Sequence, residues 1–231
     1  CYSGEKEKHT QMNDVLPLDF LTTMTLLPVV GAAVVFILPR GRERLARWMA
    51  LIISLVVMVM AIGVFYSVRA DPPGAGQWSF EAQAEWFPQL NASWHVGVDG
   101  LSATMVLLTG LLVPLAILIS FEIEDRVQAH MALFLFLETG LLGVFVALDM
   151  MIFFVFWEIG LVPMYFLIYL WGGENRRYAA NKFFLYTMAG SLGLLLATQL
   201  VGLTVESFDI PYMLEMWPRY LMRGGEILGV D

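Results

Sequence analysis

Two carboxylates sit where carboxylates are expensive. Glu138 and Glu158 each interrupt a long apolar run, while Asp99 and Asp149 stand nearer the ends of such runs. An acidic group at the centre of a bilayer costs about 2.5–3.5 kcal/mol even on the gentler insertion scales. Such a group therefore faces protein or water with a partner, or carries a proton. Either state is proton-handling chemistry. Glu158 follows Met150 by eight residues, about 12 Å at helical rise, and Glu138 follows Met131 by seven, so both fall near mid-depth. Neighbouring antiparallel helices would bring the two carboxyls within mutual influence, which favours one shared proton. Pro163, five residues after Glu158, removes the amide that would bond the carbonyl of Ile159, so the helix is expected to bend or open there. A freed carbonyl can hold water beside the acid, and a plain packing kink is the alternative. Asp99 and Asp149 open their runs, where an acidic side chain suits a helix N-terminus.

Other chemistries find little support. One cysteine, Cys1, excludes an internal disulfide framework, and no Cys/His spacing matches a zinc or iron–sulfur site. The histidines His9, His95 and His130 stand singly outside the apolar runs and read as solvated loop residues. With 21 acidic against 13 basic residues the net charge is -8, so no broad basic face exists for nucleic acid. No GxGxxG occurs, and no nucleophile and base appear together.

The elements that must position the carboxyls are membrane spans. The 231 residues are 58% hydrophobic and 15% charged, with a mean hydropathy of +0.70, more apolar surface than a water-soluble core absorbs. Crossing about 30 Å of hydrocarbon takes roughly 20 residues of helix. Six runs of that length are expected, at 18–38, 48–68, 98–120, 131–148, 150–171 and 183–204. The fold is thus all-α, a polytopic transmembrane bundle. Residues 1–17 form a polar extension in which Met12 offers a natural start, 18–69 a transmembrane hairpin, 98–120 a third span, 131–204 spans four to six, and 205–231 an external tail. The 39–47 connection carries Arg40, Arg42, Arg44 and Arg47, and alternation places Arg126, Arg176, Arg177 and Lys182 on the same side, eight of 13 cations in all. By the positive-inside rule that side is cytoplasmic. The long 70–97 connection, with Pro72, Pro73, Trp78, Trp86, Pro88 and Trp94, is expected as an external loop lying along the interface, giving cover and not catalysis.

FVFWEIGLVPMYFLIYLWGG (154–173) and YAANKFFLYTMAGS (178–191), preceded by WHVGVDGLS (94–102) and FLETGLLGVFVALD (136–149), resemble the proton-translocating antenna subunits of respiratory NADH:quinone oxidoreductase, or complex I. They look like its subunit M, or chain 4, in a family that includes Mrp-type antiporter subunits and membrane subunits of some hydrogenases. The resemblance implies a protein about twice as long, of about fourteen helices with two inverted five-helix repeats. On it, spans four to six begin the first antiporter-like repeat, and the chain reads as an amino-terminal portion.

The same resemblance implies that Glu158 is the fifth-helix proton-relay acid, whose lysine partner two helices on is not in this chain. Lys182 matches the lysine of the family's KFF motif, a relay group or equally a positive-inside anchor. Glu138 is a relay partner on this reading, and Pro163 the kink beside the relay. Motion of a cation toward and away from Glu158 would trade ionisation for proton uptake. The implied role is a multi-pass subunit of the cell (inner) membrane, partnered by lipid and by other membrane-arm subunits. FMN, iron–sulfur clusters and quinone would belong to other subunits of that complex. An Mrp-type cation/proton antiporter or a hydrogenase membrane arm is the alternative, and a non-pumping scaffold, in which Glu138 and Glu158 merely pin helices, is the second.

Overall fold

The computed structural model describes residues 19–222 apart from 40, 75 and 88–91. The polar extension with Cys1 and His9, the cation Arg40, Pro88 in the long connection and the last part of the tail, 223–231, lie outside those residues. Six long helices carry the apolar runs: α1 (Phe20–Ile37), α2 (Glu43–Ala70), α3 (Gly100–Ile119), α4 (Val127–Val146), α5 (Met150–Trp171) and α6 (Arg176–Val205). Each is long and apolar enough to cross a membrane, and the protein is a multi-pass membrane protein. A 3-10 turn, Ser120–Glu122, follows α3, and a shorter helix, α7 (Ile210–Met222), occupies part of the segment expected as tail.

Helix starts obey the chemistry of orphan amides. Asp19, Asp99 and Asp149 cap α1, α3 and α5. Asp99 accepts from the Ser102 amide at 2.7 Å while the Ser102 hydroxyl accepts from the Asp99 amide at 2.8 Å, a reciprocal box. Asp149 accepts from the amides of Met151, at 2.8 Å, and Ile152, at 3.2 Å. Several helices extend beyond the expected apolar runs. Arg44 and Arg47 fall in the opening turns of α2, and Lys182 sits six residues inside α6. Polar ends continue a helix past the hydrocarbon because flanking water satisfies their side chains.

The long connection differs most from its expectation. Two strands, β1 (Ser79–Phe87) and β2 (Ala92–Val98), pair antiparallel with Ala82 opposite Val96 and Ala84 opposite Trp94. β2 does not lie along an interface. Trp94, Val96 and Val98 are buried in the bundle, the Trp94 ring stands edge-on to Phe156 at 5.8 Å, and its indole N–H donates to Thr22 Oγ1 at 2.9 Å. The reading of Trp94 as interfacial cover is therefore corrected. A strand buried on both faces lacks the alternation that announces strands.

Two histidines are corrected with it. His95, on β2, is 3% exposed and His130 is 6% exposed. α4 begins four residues before the expected 131, which puts His130 in its first turn, edge-on to Phe134 and Trp171 at 5.0 and 4.5 Å.

The core has two apolar clusters stacked along the helices. The hairpin-end cluster includes Leu21, Met24, Val57, Val64, Val96, Val106, Leu142 and Phe156. The arginine-end cluster includes Val35, Ala50, Val113, Ile117, Met131 and Leu135. α4 is the hub, packed against α1 and α5. Its seam with α5 depends on glycine: a Cβ at Gly140 would meet the Gly160 amide nitrogen at 2.9 Å and its Cα at 3.0 Å, and one at Gly143 would fall on the Phe156 ring.

Gly140→Val should force the two backbones apart and cost about 1–3 kcal/mol, as overpacking does. Gly160→Ala, whose Cβ meets nothing within 4 Å, should be neutral or gain up to about 1 kcal/mol from helix propensity. Thermal unfolding of the two variants in nanodiscs measures both, and equal midpoints would contradict the seam.

Candidate functional site

Each of the first four helices carries buried polar side chains inside its apolar run. On α1 they include Thr25, between Met24 and Ala32; on α2 Ser54, between Leu51 and Val57; on α3 Thr109, between Val106 and Val113; on α4 Glu138 and Thr139, between Leu135 and Leu142. Of these residues Ser54 and Glu138 meet, which joins α2 to α4 at one level. Thr109 satisfies itself locally, donating to the Met105 carbonyl at 3.0 Å.

Glu138 is the one ionisable group among these residues. It is 0% exposed, and Ser54 Oγ donates to its Oε1 at 2.8 Å. Its Oε2, with the hydroxyls of Thr25 and Thr139, is buried without a hydrogen-bond partner among the described residues. No cation contacts Glu138 among those residues. Ser54 was not singled out from sequence, because one serine in an apolar run carries no periodic signal.

Glu158 occupies a different environment. It lies inside α5, half-buried, with no side-chain hydrogen bond or ion pair among the described residues. The expected meeting of the two carboxyls does not occur. Gly140 faces α5, and two residues earlier on a helix of 3.6 per turn is about 200° around. That turns Glu138 toward α2, where its serine is. Phe156 faces α4 across Gly143, and the same rotation turns Glu158 away from α4. Adjacent helices brought the depths together and rotation set the side chains apart.

Pro163 is buried within α5, and the helix runs through it without opening from Met150 to Trp171. Pro28 and Pro114 are carried in the same way inside α1 and α3. Lys182 is exposed, its ammonium 5.7 Å over the Tyr178 ring and 5.9 Å over that of Tyr186. It does not approach Glu158. The Trp157 indole bonds Ser191 Oγ at 3.2 Å, which fixes the level of Glu158 on α6. Lys182 is nine residues from Ser191, about 13 Å along the axis.

Comparison with known proteins places these features in a lineage. Residues 147–228 match the family described as NADH:quinone oxidoreductase/Mrp antiporter, transmembrane. The chain is 36% identical over 209 residues to NAD(P)H-quinone oxidoreductase chain 4 3 of Picosynechococcus sp., covering 86% of this chain and 38% of that protein. It is 39% identical over 206 residues to NADH-quinone oxidoreductase subunit M of Rhodobacter capsulatus, covering 84% and 39%. Among solved structures, a chain of respiratory complex I from Thermus thermophilus with bound NADH superposes with a TM-score of 0.72 at 31% identity, over 84% of this chain and 39% of that one. The Mrp complex from Dietzia sp. shares the fold at a TM-score of 0.71 and 22% identity, over 84% and 20%. The chain thus spans about two fifths of the length of the curated relatives it matches.

Ser54→Ala leaves the buried Oε1 of Glu138 without its donor and should cost about 1–3 kcal/mol. The chemical unfolding midpoint in detergent reads this loss, and a wild-type midpoint would show the bond to be dispensable.

Proposed function

The chain belongs to the NADH:quinone oxidoreductase/Mrp antiporter family of transmembrane subunits, and from that premise we propose that it serves in the membrane arm of a proton-translocating NADH:quinone oxidoreductase. The observation that carries the proposal is Glu158, an acid inside an apolar span with no side-chain partner among the described residues. A carboxyl so held is free to exchange a proton when charge nearby changes, whereas one locked in a complete network is not.

On this reading Glu158 is the relay acid. An approaching cation favours its ionised form, and withdrawal of that cation favours uptake of a proton from the arginine side, which the positive-inside rule makes cytoplasmic. Glu138 has a separate task, since it faces α2 and bonds Ser54. Lys182, over its tyrosines about 13 Å away along the axis, suits an interfacial anchor better than a direct partner of Glu158. Pro163 holds its place by packing. Quinone reduction, with the FMN and iron–sulfur chemistry that feeds it, would take place in neighbouring subunits.

Two other readings have support of their own. The Mrp likeness in fold favours an antiporter subunit exchanging a cation for protons, and the Ser54 bond to Glu138 is what a scaffold that pins helices would use.

Glu158→Gln in the assembled complex should abolish proton translocation and lower coupled quinone reduction at least about tenfold, while the complex still assembles. Quinone reduction in membrane vesicles with a pH-sensitive dye measures both quantities, and normal pumping would leave the scaffold reading standing.

A further inference from the structure

At the hairpin end a histidine is enclosed by acids from three separate parts of the chain. His95, on β2, has a side chain only 4% exposed. Its Nε2 lies 3.0 Å from Glu81 Oε1 on β1, and its Nδ1 lies 2.5 Å from Asp209 Oδ2 in the connection between α6 and α7. Asp149, from the connection between α4 and α5, faces Asp209 and accepts from the Ser93 amide of β2 at 3.0 Å. With both ring nitrogens against carboxylate oxygens, only the imidazolium can donate to both acids.

The backbone around this cluster is strand-like and crosses all three parts. The Leu148 amide donates to the His95 carbonyl at 2.8 Å, and the Leu148 carbonyl accepts from the Ile210 amide at 2.8 Å. The Met150 amide donates to the Phe208 carbonyl at 2.8 Å, and Phe208 is buried against Gly202. Leu148, in the middle of the α4 to α5 connection, is therefore held on one side by the hairpin and on the other by the α6 to α7 turn.

We infer that His95, Asp209 and Glu81 form a proton-binding site, and that the proton it holds clasps the β-hairpin to the α4–α5 and α6–α7 connections. The ligand is a proton, taken from the aqueous phase at this end of the bundle through Glu81, whose side chain is 48% exposed. The site is distinct from the intramembrane carboxyls and stands whether or not Glu158 relays protons.

The electrostatics give the pH window. Burial alone would lower the affinity of His95 for its proton, but the bonds and charges of Asp209 and Glu81 outweigh it and leave the pKa raised above 6.5. For Asp209 burial acts upward, yet the bond from His95 leaves the pKa lowered below 3.8. A raised histidine contributes stability that is full below its unfolded value and lost as pH rises through its folded value. A depressed aspartate contributes stability present above its unfolded value and lost as pH falls through its folded value. The clasp is tightest between these limits and loosens on the alkaline side. Asp149 has a raised pKa, from burial first and from the charge of Asp209 as well.

Hydrogen exchange of the Leu148 and Ile210 amides, corrected for intrinsic rates, tests the inference on the chain in nanodiscs between pH 5 and 9. Protection should fall about tenfold for each unit by which the folded pKa of His95 exceeds its unfolded value. His95→Gln should lower protection at pH 6 and flatten the profile. Asp209→Asn, which keeps the acceptor and removes the charge, should move the midpoint to lower pH. A flat wild-type profile, a wild-type profile surviving in His95→Gln, or an unmoved midpoint in Asp209→Asn would overturn the clasp.

Discussion

A carboxyl group enclosed inside an apolar span, with no cation beside it among the described residues, constrains everything packed around it. Glu138 must take its hydrogen bond from a neighbouring helix, because its own helix has spent its amides on its own carbonyls. Ser54 supplies that bond, which ties α2 to α4 at one level and in one rotation. Apolar packing alone would tolerate a slide or a turn, since lipid and leucine are nearly equivalent neighbours. The Ser54–Glu138 bond thereby sets the register in which α2 and α4 bring their parts of the two apolar clusters together.

The bundle was legible from sequence where a single physical rule dominates. Hydrocarbon thickness dictated six apolar runs, and acid at a helix start marked Asp99 and Asp149 as caps. What escaped reading depended on rotation and on long-range partners. Glu138 and Glu158 share a depth, which residue counting gives, but face opposite ways, which follows only once Gly140 and Phe156 show where α4 and α5 touch. His95 looked solvated because its acids stand 14 residues before it and 114 after it. β2 was missed because burial on both faces erased its alternation, and the prolines and glycines ahead of it suggested a loop.

These geometries separate three tasks among groups that look alike on paper. One acid is fully enclosed and joins helices. Another stands half-buried in the fifth span on a side turned from α4, beside a tryptophan that reaches α6. A third set gathers about an imidazole at the end of the bundle, where solvent reaches one of its members. The relay role proposed for the second draws on the family relation. The first and third owe their assignment to contacts in this chain alone.

The near-touching backbones of Gly140 and Gly160 leave no compressible side chain between α4 and α5. Two rods in such contact behave as one stiff plate, and a plate tilts as a whole. A shift of α5 therefore carries α4 with it, and with α4 the Ser54-bonded face that joins it to α2.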